Sequence, residues 1–152
     1  MPKTLLSVSH QKQRTQSDCL VACVQMVTEY LQNPLTYAEI FNLLGTRWYG
    51  TPFRHVERLK HAGLAVSLAN LGLKDIQASL RAGFPVIVGV NTADLSYWTQ
   101  AVDHVVVVVG MDGTSFYVND PALPDGQQLI SADELALAQL AFDNLCAVIK
   151  RA

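Results

Sequence analysis

Apolar residues that follow the polar N-terminal stretch recur at helical spacing. Counted from Leu20, they occupy positions i, i+3, i+4, i+7 and i+11, which is typical of an amphipathic helix with one buried face. These positions are Leu20, Cys23, Val24, Val27 and Leu31. Ser17 or Asp18 can cap the start of this helix, because a short polar side chain accepts hydrogen bonds from the free N–H groups of the first turn. The pattern therefore predicts that Cys19 lies in that first turn.

Three further helical segments are predicted before residue 84, each with residues suited to its ends. Thr36 followed by Glu39 is a capping box, in which each side chain satisfies a backbone N–H of the other residue. Thr51 before Pro52 predicts the cap and the first position of the next helix, since proline needs no N–H there. The apolar positions are Ile40, Leu43 and Leu44, then Phe53, Val56 and Leu59, then Leu73, Ile76 and Leu80, and the segments end at Gly45, Gly63 and Gly83.

The later part of the chain carries β-branched runs and alternating apolar positions instead. Strands are predicted at residues 64–68, 85–91, 104–110, 114–119 and 145–149, and a last helix at about residues 131–140. Asp112 and Gly113 form a hairpin signal between two of these strands. Runs of helix followed by runs of strand favour an α+β fold with an antiparallel sheet.

Length and composition narrow the class of protein. The 152 residues predict a single domain over residues 1–152, and 50% hydrophobic against 16% charged residues indicates a globular chain. A net charge of −2 without a basic patch argues against a nucleic-acid partner. Three irregularly spaced cysteines indicate no disulfide framework and fit a reducing, cytoplasmic setting. No secretion signal or membrane segment is expected in this chain, and no cofactor or metal is implied.

Cys19 at the start of a helix is suited to act as a nucleophile. The positive end of the helix dipole favours the thiolate, and the free N–H groups of the first turn can stabilise a developing oxyanion. Gln13 lies six residues upstream, and its carboxamide can supply a second donor to that oxygen. Taken alone, Cys19 fits an ordinary buried core cysteine as well, so the catalytic interpretation depends on a base elsewhere in the chain.

The predicted hairpin supplies a candidate base together with an acid that orients it. If the hairpin loop comprises residues 111–113, Gly110 faces Thr114. Outward pairing from there brings His104 opposite Asp120, and opposite residues share a face with Cβ atoms about 4.5–5.5 Å apart. The two side chains are therefore predicted to be neighbours, whereas a slip of one residue would place them on opposite faces. A histidine held by a carboxylate is the base half of a nucleophilic triad.

The order of these motifs resembles the papain-like cysteine peptidases, and among them the bacteriocin-processing peptidases of peptidase family thirty-nine. Members of that family typically show a Gln five positions before an Asp-Cys-Gly-x-Ala-Cys run. The matching residues here are Gln13, Asp18, Cys19, Ala22 and Cys23, with Leu20 in place of the glycine. A Pro-Val-Ile-Val strand, an Asp-His-Val-Val segment and a final Asp-Pro are matched by residues 85–88, 103–106 and 120–121. The resemblance covers nearly the whole chain.

The resemblance implies a fold, an activity and a set of site residues. The implied fold is papain-like, with an N-terminal helical lobe packed on a C-terminal antiparallel sheet and a cleft between them. The implied roles are nucleophile for Cys19, general base for His104, orienting acid for Asp120 and oxyanion donor for Gln13. The substrate would be a peptide or protein, with double-glycine leader peptides as the best-known case, and association with an export transporter stays open. The residues expected to border the substrate are Asp18, Leu20, Tyr97 and Trp98.

Three other interpretations stay open. The same triad serves cysteine amidases, deamidases and acyltransferases, which the sequence does not separate from peptidases. A catalytically silent peptide-binding domain would keep the fold but have an inert thiol, although such relatives usually lose the cysteine. A metal site formed by Cys19, Cys23 and His104 lacks a second ligand pair at a suitable spacing. Assays with peptides and small amides separate the first alternative from a peptidase, and thiol labelling separates the second.

Overall fold

The chain forms one antiparallel sheet with helices on both of its faces. The computed structural model describes residues 3–124 and 126–152. The helices are α1 (Cys19–Tyr30), α2 (Tyr37–Leu44), α3 (Leu73–Arg81) and α4 (Ala132–Gln139), with 3₁₀ segments at Phe53–Ala62, Thr92–Asp94 and Leu140–Phe142. The strands are β1 (Thr4–Leu5), β2 (Leu64–Asn70), β3 (Val86–Asn91), β4 (Asp103–Asp112), β5 (Ser115–Asn119), β6 (Gln127–Ser131) and β7 (Leu145–Arg151).

The sheet places β4 at its centre. The strand order is β2-β7-β3-β4-β5-β6, and the short β1 pairs with the end of β4. Every neighbouring pair is antiparallel. The predicted α+β fold with an antiparallel sheet is therefore confirmed.

Each face of the sheet is covered by its own apolar core. Helices α1 and α2 and the first 3₁₀ segment pack on one face, and α3 and α4 pack on the other. Alternate valines of β4 serve the two cores, which explains why this strand is continuously apolar and not alternating. Val105, Val107 and Val109 lie in the first core, and Val106 and Val108 lie in the second.

The predicted capping bonds are confirmed for α2, whereas Asp18 occupies the cap position of α1 without a side-chain capping bond. The side chain of Thr36 accepts from the N–H of Glu39 at the start of α2, and Gly45 ends that helix in the left-handed conformation. The prediction that Thr51 caps a third α-helix is wrong, because the segment is a 3₁₀ helix that begins after Pro52. The hydroxyl of Thr51 lies 2.7 Å from that of Thr46, so it is engaged in the preceding loop.

The hairpin between β4 and β5 differs from the predicted one. Asp112 pairs with Ser115, so the turn has two residues and not the predicted three. The register then shifts between Val108 and Gly110, which leaves Val109 as the extra residue of a β-bulge. Beyond the bulge Val107 pairs with Asn119.

The N-terminal segment runs along the end of β5 before it reaches α1. The side-chain amide of Asn119 donates to the carbonyl of Val8 at 3.1 Å, and Nε2 of His10 donates to the carbonyl of Asp120 at 2.8 Å. The backbone N–H of Gln13 donates to the carbonyl of Pro121 at 2.8 Å. These bonds attach the segment before Cys19 to the segment after β5. None of the helices within residues 3–124 and 126–152 has the length and hydropathy needed to cross a bilayer.

Candidate active site

His104 and Asp120 form a buried pair at the end of the sheet. Nε2 of His104 lies 2.7 Å from Oδ1 of Asp120, and the side chains are 5% and 0% exposed. The prediction that the two residues are neighbours is confirmed, although the register on which it was based is wrong. Val107 pairs with Asn119, the last residue of β5. Asp120 follows directly and therefore lies opposite Val106.

The β-bulge accounts for the shared face of the pair. Residues two positions apart on a strand point to the same side, so His104 lies diagonally across from Asp120 within reach of a long side chain. A two-residue turn without the bulge would shift the pairing by one residue and place the two side chains on opposite faces. The bulge at Val109 restores the parity that the predicted three-residue loop would have supplied.

Asp120 accepts hydrogen bonds on both carboxylate oxygens. The hydroxyl of Tyr97 and Nε1 of Trp98 donate to Oδ2 at 2.7 and 2.8 Å, and the N–H of Ala122 donates to Oδ1 at 2.9 Å. Burial raises the pKa of Asp120, but the hydrogen bond and charge of His104 and the donors Tyr97 and Trp98 outweigh it and hold that pKa below its usual range. Asp120 is therefore an ionised acceptor with a fixed orientation.

Tyr97 and Trp98 lie against the catalytic candidates. Both were expected to border a substrate, and their polar atoms donate to Asp120 instead. The ring of Trp98 also meets the imidazole of His104 edge-on, with 5.1 Å between ring centroids. Trp98 retains a surface on the hollow in front of His104, so it can contact a substrate as well. No sequence pattern predicts the bonds to Asp120, since both donors come from an irregular loop.

Cys19 is the first residue of α1 and is half-buried. Burial lowers the pKa of His104, but hydrogen bonds and charge from Asp120 and Cys19 raise it by more, to about 9. Because Nε2 of His104 is bonded to Asp120, Nδ1 is the ring nitrogen left for the sulfur of Cys19. The imidazole of His104 thus interacts with both the thiol of Cys19 and the carboxylate of Asp120.

Gln13 lies on the wall of a hollow in front of His104. Its Nε2 donates to the carbonyl of Thr15 at 2.9 Å, and its Oε1 is buried without a partner among the described residues. With His104 and Trp98 it lines a hollow of about 520 Å³. The carboxamide carries two N–H hydrogens and two acceptor lone pairs. One N–H and the oxygen of Gln13 are therefore still able to hydrogen-bond at the wall of this hollow.

Asp18 and Leu20 flank Cys19, but their side chains are buried. Leu20 is 2% exposed and packs in the first core, so the expectation that it borders the substrate is corrected. Its position on the buried face of α1 directs it away from the cleft. Asp18 is 3% exposed and accepts a hydrogen bond from the hydroxyl of Tyr37 at 2.8 Å, so its carboxylate is already engaged. This placement favours a structural role over substrate contact.

The other two cysteines lie in the cores. Cys23 and Cys146 are both fully buried, and burial raises the pKa of each thiol, to about 12 for Cys146. Within residues 3–124 and 126–152, no group of three or more His, Cys, Asp or Glu side chains is arranged to hold a metal ion. The proposed metal site of Cys19, Cys23 and His104 is therefore not formed.

Comparison with known proteins identifies the fold. The Peptidase_C39 like family matches residues 5–144 of the chain. No curated protein matches this chain.

Solved structures give the same result. A C39-like peptidase from Bacillus anthracis has a TM-score of 0.83 at 15% identity, covering 100% of this chain and 99% of that one. The peptidase domain of Streptococcus ComA, a bi-functional ABC transporter involved in quorum sensing, has a TM-score of 0.78 at 18% identity, with 95% and 99% covered. A double glycine motif protease from an AMS/PCAT transporter, in complex with the leader peptide, has a TM-score of 0.76 at 21% identity, with 98% and 95% covered. At these identities the likeness concerns the fold.

Proposed function

Because the chain belongs to the Peptidase_C39 like family, as its motif order predicted, we propose that it is a cysteine peptidase acting through Cys19, His104 and Asp120. The observation that carries the proposal is the 2.7 Å bond between His104 and Asp120, with Cys19 close enough to the same imidazole to raise its pKa. A nucleophile, a base within its reach and an acid that orients the base are the parts required for acyl transfer.

The first half of the proposed reaction forms an acyl-enzyme. The thiolate of Cys19 attacks the carbonyl carbon of the scissile peptide bond, and the carbonyl oxygen becomes an oxyanion. When this intermediate collapses, the C–N bond breaks and the protonated His104 gives its Nδ1 proton to the leaving amine. The pKa of about 9 keeps His104 protonated at neutral pH, which suits this role. The products are a thioester on Cys19 and a free amine.

The second half returns the enzyme to its starting state. His104 now takes a proton from a water molecule, whose oxygen attacks the thioester carbon. The C–S bond breaks, a carboxylic acid leaves, and Cys19 is again a thiolate beside a protonated imidazole. Asp120 holds the ring so that the same nitrogen faces the sulfur and the water in turn.

Gln13 and the start of α1 are proposed to stabilise the oxyanion. The N–H groups of the first helical turn have no partners within the helix, and one of them belongs to Cys19. One N–H of the Gln13 carboxamide is held by Thr15, which orients the group, and the second is free for a substrate oxygen. Two donors at this position are typical of an oxyanion hole.

The proposed substrate is a peptide that lies along the loop between Gln13 and Cys19. The hollow in front of His104 is lined by residues 13–16 of this loop. A second hollow of about 460 Å³ shares Thr15 and Gln16 with it and is also lined by Ser17, Asp18, Phe41, Arg47 and Trp48. Trp48 is 88% exposed, so it offers an aromatic surface to a bound chain. The solved relative bound to a leader peptide makes double-glycine leaders the first candidates to test.

Peptide digestion tests the proposal directly. The protein is incubated with a mixture of peptides that includes double-glycine leader sequences, and the products are identified by mass spectrometry. We expect cleavage that is lost in Cys19→Ala, while the far-ultraviolet circular dichroism and the melting temperature stay close to wild type. Cys23→Ala is the matched control, since its thiol is buried one turn further along α1.

Other outcomes distinguish the alternatives. Release of ammonia from small amides, or transfer of an acyl group to an added amine without peptide cleavage, would favour an amidase or acyltransferase. Peptide binding with a thiol that resists alkylation would favour a silent binding domain. Loss of the fold in Cys19→Ala would indicate that this cysteine is a core residue.

A further inference from the structure

We propose that Tyr37 is a positioning residue that sets the geometry of the oxyanion hole by joining the two ends of the loop from Gln13 to Cys19. The inference rests on the proposed function, because it assigns a role within the same site. Its evidence is a single buried hydroxyl with one partner beside Gln13 and another beside Cys19.

The hydroxyl of Tyr37 makes two hydrogen bonds to this loop. It donates to Oδ2 of Asp18 at 2.8 Å, and it accepts from the backbone N–H of Arg14 at 3.0 Å. Asp18 directly precedes Cys19, and Arg14 directly follows Gln13. One oxygen atom thereby fixes the distance between the residues adjacent to the proposed nucleophile and the proposed side-chain donor.

The bond to Asp18 leaves the start of α1 open. Asp18 occupies the cap position of α1, where an aspartate usually accepts a hydrogen bond from a first-turn N–H. Here its side chain makes no capping bond. Because Tyr37 draws the carboxylate to the other side, the first-turn N–H groups, including that of Cys19, stay free to meet an oxyanion.

The bond to Arg14 fixes the loop beside Gln13. The N–H of Gln13 is already held by the carbonyl of Pro121 at 2.8 Å. The N–H of the next residue is held by Tyr37, so the backbone on both sides of the Gln13 side chain is restrained. The guanidinium of Arg14 also lies over the ring of Tyr37, 4.1 Å from its centroid.

Tyr37 is itself held firmly. It is the first residue of α2, whose start is stabilised by the capping box of Thr36 and Glu39. Its side chain is 5% exposed and packs in the same core as α1. Burial and the neighbouring Asp18 raise the pKa of Tyr37 well above its usual value, so the hydroxyl keeps the proton that it donates.

The Tyr37→Phe variant tests the proposal with two reactions of the same thiol. Hydrolysis of the peptide substrate found by digestion needs the oxyanion hole, whereas alkylation of Cys19 by iodoacetamide forms no oxyanion. We expect kcat for hydrolysis to fall about tenfold to a hundredfold, with KM changed little, because a small misplacement of donors is costly at a reacting centre. The rate of alkylation should stay within about twofold of wild type, since the thiol itself is untouched.

The matched control is Tyr30→Phe. Tyr30 lies at the far end of α1, and its hydroxyl donates to the carbonyl of Gly83 at 2.7 Å. This variant also loses a tyrosine hydrogen bond, so its melting temperature should fall comparably while kcat stays at the wild-type value. A second pair of variants tests the same proposal if Tyr37→Phe folds poorly. Asp18→Asn keeps an acceptor for Tyr37 and should retain most of kcat, whereas Asp18→Ala should reproduce the loss.

Each result has a clear meaning. Equal kcat in wild type and Tyr37→Phe would overturn the positioning role, and so would equal losses in hydrolysis and in alkylation. A wild-type protein that cleaves no peptide would instead count against the proposed function. Amide hydrogen exchange decides the inference even then. We expect faster exchange at the N–H of Arg14 in Tyr37→Phe than in Tyr30→Phe, and unchanged protection would contradict the proposal.

Discussion

Asp120 is the residue on which the candidate site converges. Its two oxygens accept from His104, Tyr97, Trp98 and a backbone N–H, at distances between 2.7 and 2.9 Å. A carboxylate with this many donors stays ionised and cannot rotate freely. It therefore fixes both the orientation and the charge of the imidazole beside Cys19.

The pH dependence of activity reports the state of His104. We expect kcat/KM to fall as the pH rises through about 9, because His104 then loses the proton that it gives to the leaving amine. In Asp120→Asn this basic limb should move to lower pH, since the hydrogen bond and charge of Asp120 raise the pKa of His104. Measuring kcat/KM across this range for both proteins checks the prediction. An unmoved limb would separate Asp120 from the titrating group.

Gln13 is predicted to act in the transition state. Gln13→Ala should lower kcat by about 10²–10³ with a small change in KM, the usual cost of removing one oxyanion donor. Gln11→Ala is the control in the same segment, because its amide donates to Glu29 at 3.1 Å and does not line the hollow. Steady-state kinetics on both variants decides. A Gln13 variant as active as the Gln11 variant would remove Gln13 from the site.

Tyr97 is predicted to act through Asp120. Tyr97→Phe removes one of the two donors to Oδ2 of Asp120. We expect kcat to fall about tenfold, because a less firmly oriented His104 loses part of its contribution as a base. Tyr117→Phe is the control, since its hydroxyl donates to another aspartate, Asp112, at 3.4 Å on the surface. Equal kcat in the two variants would show that Asp120 needs no support from Tyr97.

At the scale of elements, the sequence predicted what local patterns encode. The apolar stripe of α1 and the capping box of α2 led to correct helices. In both signals each residue lies within four positions of the next one, so local sequence is enough to show them. The predicted strands also appear. Strands β2, β4 and β7 are longer than predicted, whereas β3 and β5 each begin one residue later. Strands β1 and β6 were not predicted, since β1 has two residues and β6 buries only Ile130 fully.

The register of the hairpin shows the limit of local prediction. The Asp112–Gly113 signal correctly marked the turn, but it did not reveal the bulge at Val109, which lies beside strand β1. Two errors, the loop length and the missing bulge, compensated in the placement of His104 relative to Asp120. The bonds from Tyr97 and Trp98 to Asp120 were not predicted, because the two donors lie on an irregular loop and their partner is 23 and 22 residues away, beyond β4 and β5.

Gly110 beside the bulge is predicted to be intolerant of a side chain. A Cβ atom there would lie 2.5 Å from the carbonyl oxygen of Thr4, so Gly110→Ala must displace β1 and the segment that leads to Gln13. We expect a loss of about 1–3 kcal/mol in the free energy of unfolding, together with lower kcat. Gly72→Ala is the control, with its nearest contact at 3.9 Å. Urea unfolding of both variants tests this, and equal stabilities would contradict it.

At the scale of the whole molecule, the site lies where the two cores meet. Helix α1 brings Cys19 from the first face of the sheet, while His104 follows the alternate positions of β4 that serve the second. Tyr97 and Trp98 pack against that second core. Residues from both faces therefore have to fold together before thiol, imidazole and carboxylate can meet.

The global stability should depend on pH through His104. Its pKa is raised from 6.5 to about 9, so its contribution is fully present below about pH 6.5 and is lost as the pH rises through 9. The pKa of Asp120 is lowered from 3.8, so its contribution is present above that value and is lost on acidification. We expect the free energy of unfolding to decline between about pH 6.5 and 9 in wild type but much less in His104→Gln. Urea unfolding of both proteins tests this, and an equal decline in wild type and in His104→Gln would show that another group titrates.

Covalent capture tests the proposal that Cys19 is a nucleophile activated by His104. The protein is treated with a broad thiol-reactive peptide inhibitor near neutral pH, and the modified residue is located by mass spectrometry in wild type and in His104→Gln. We expect one adduct, at Cys19, formed much more slowly when His104 is absent. Modification at Cys23 or Cys146, or labelling of Cys19 at the same rate without His104, would contradict it.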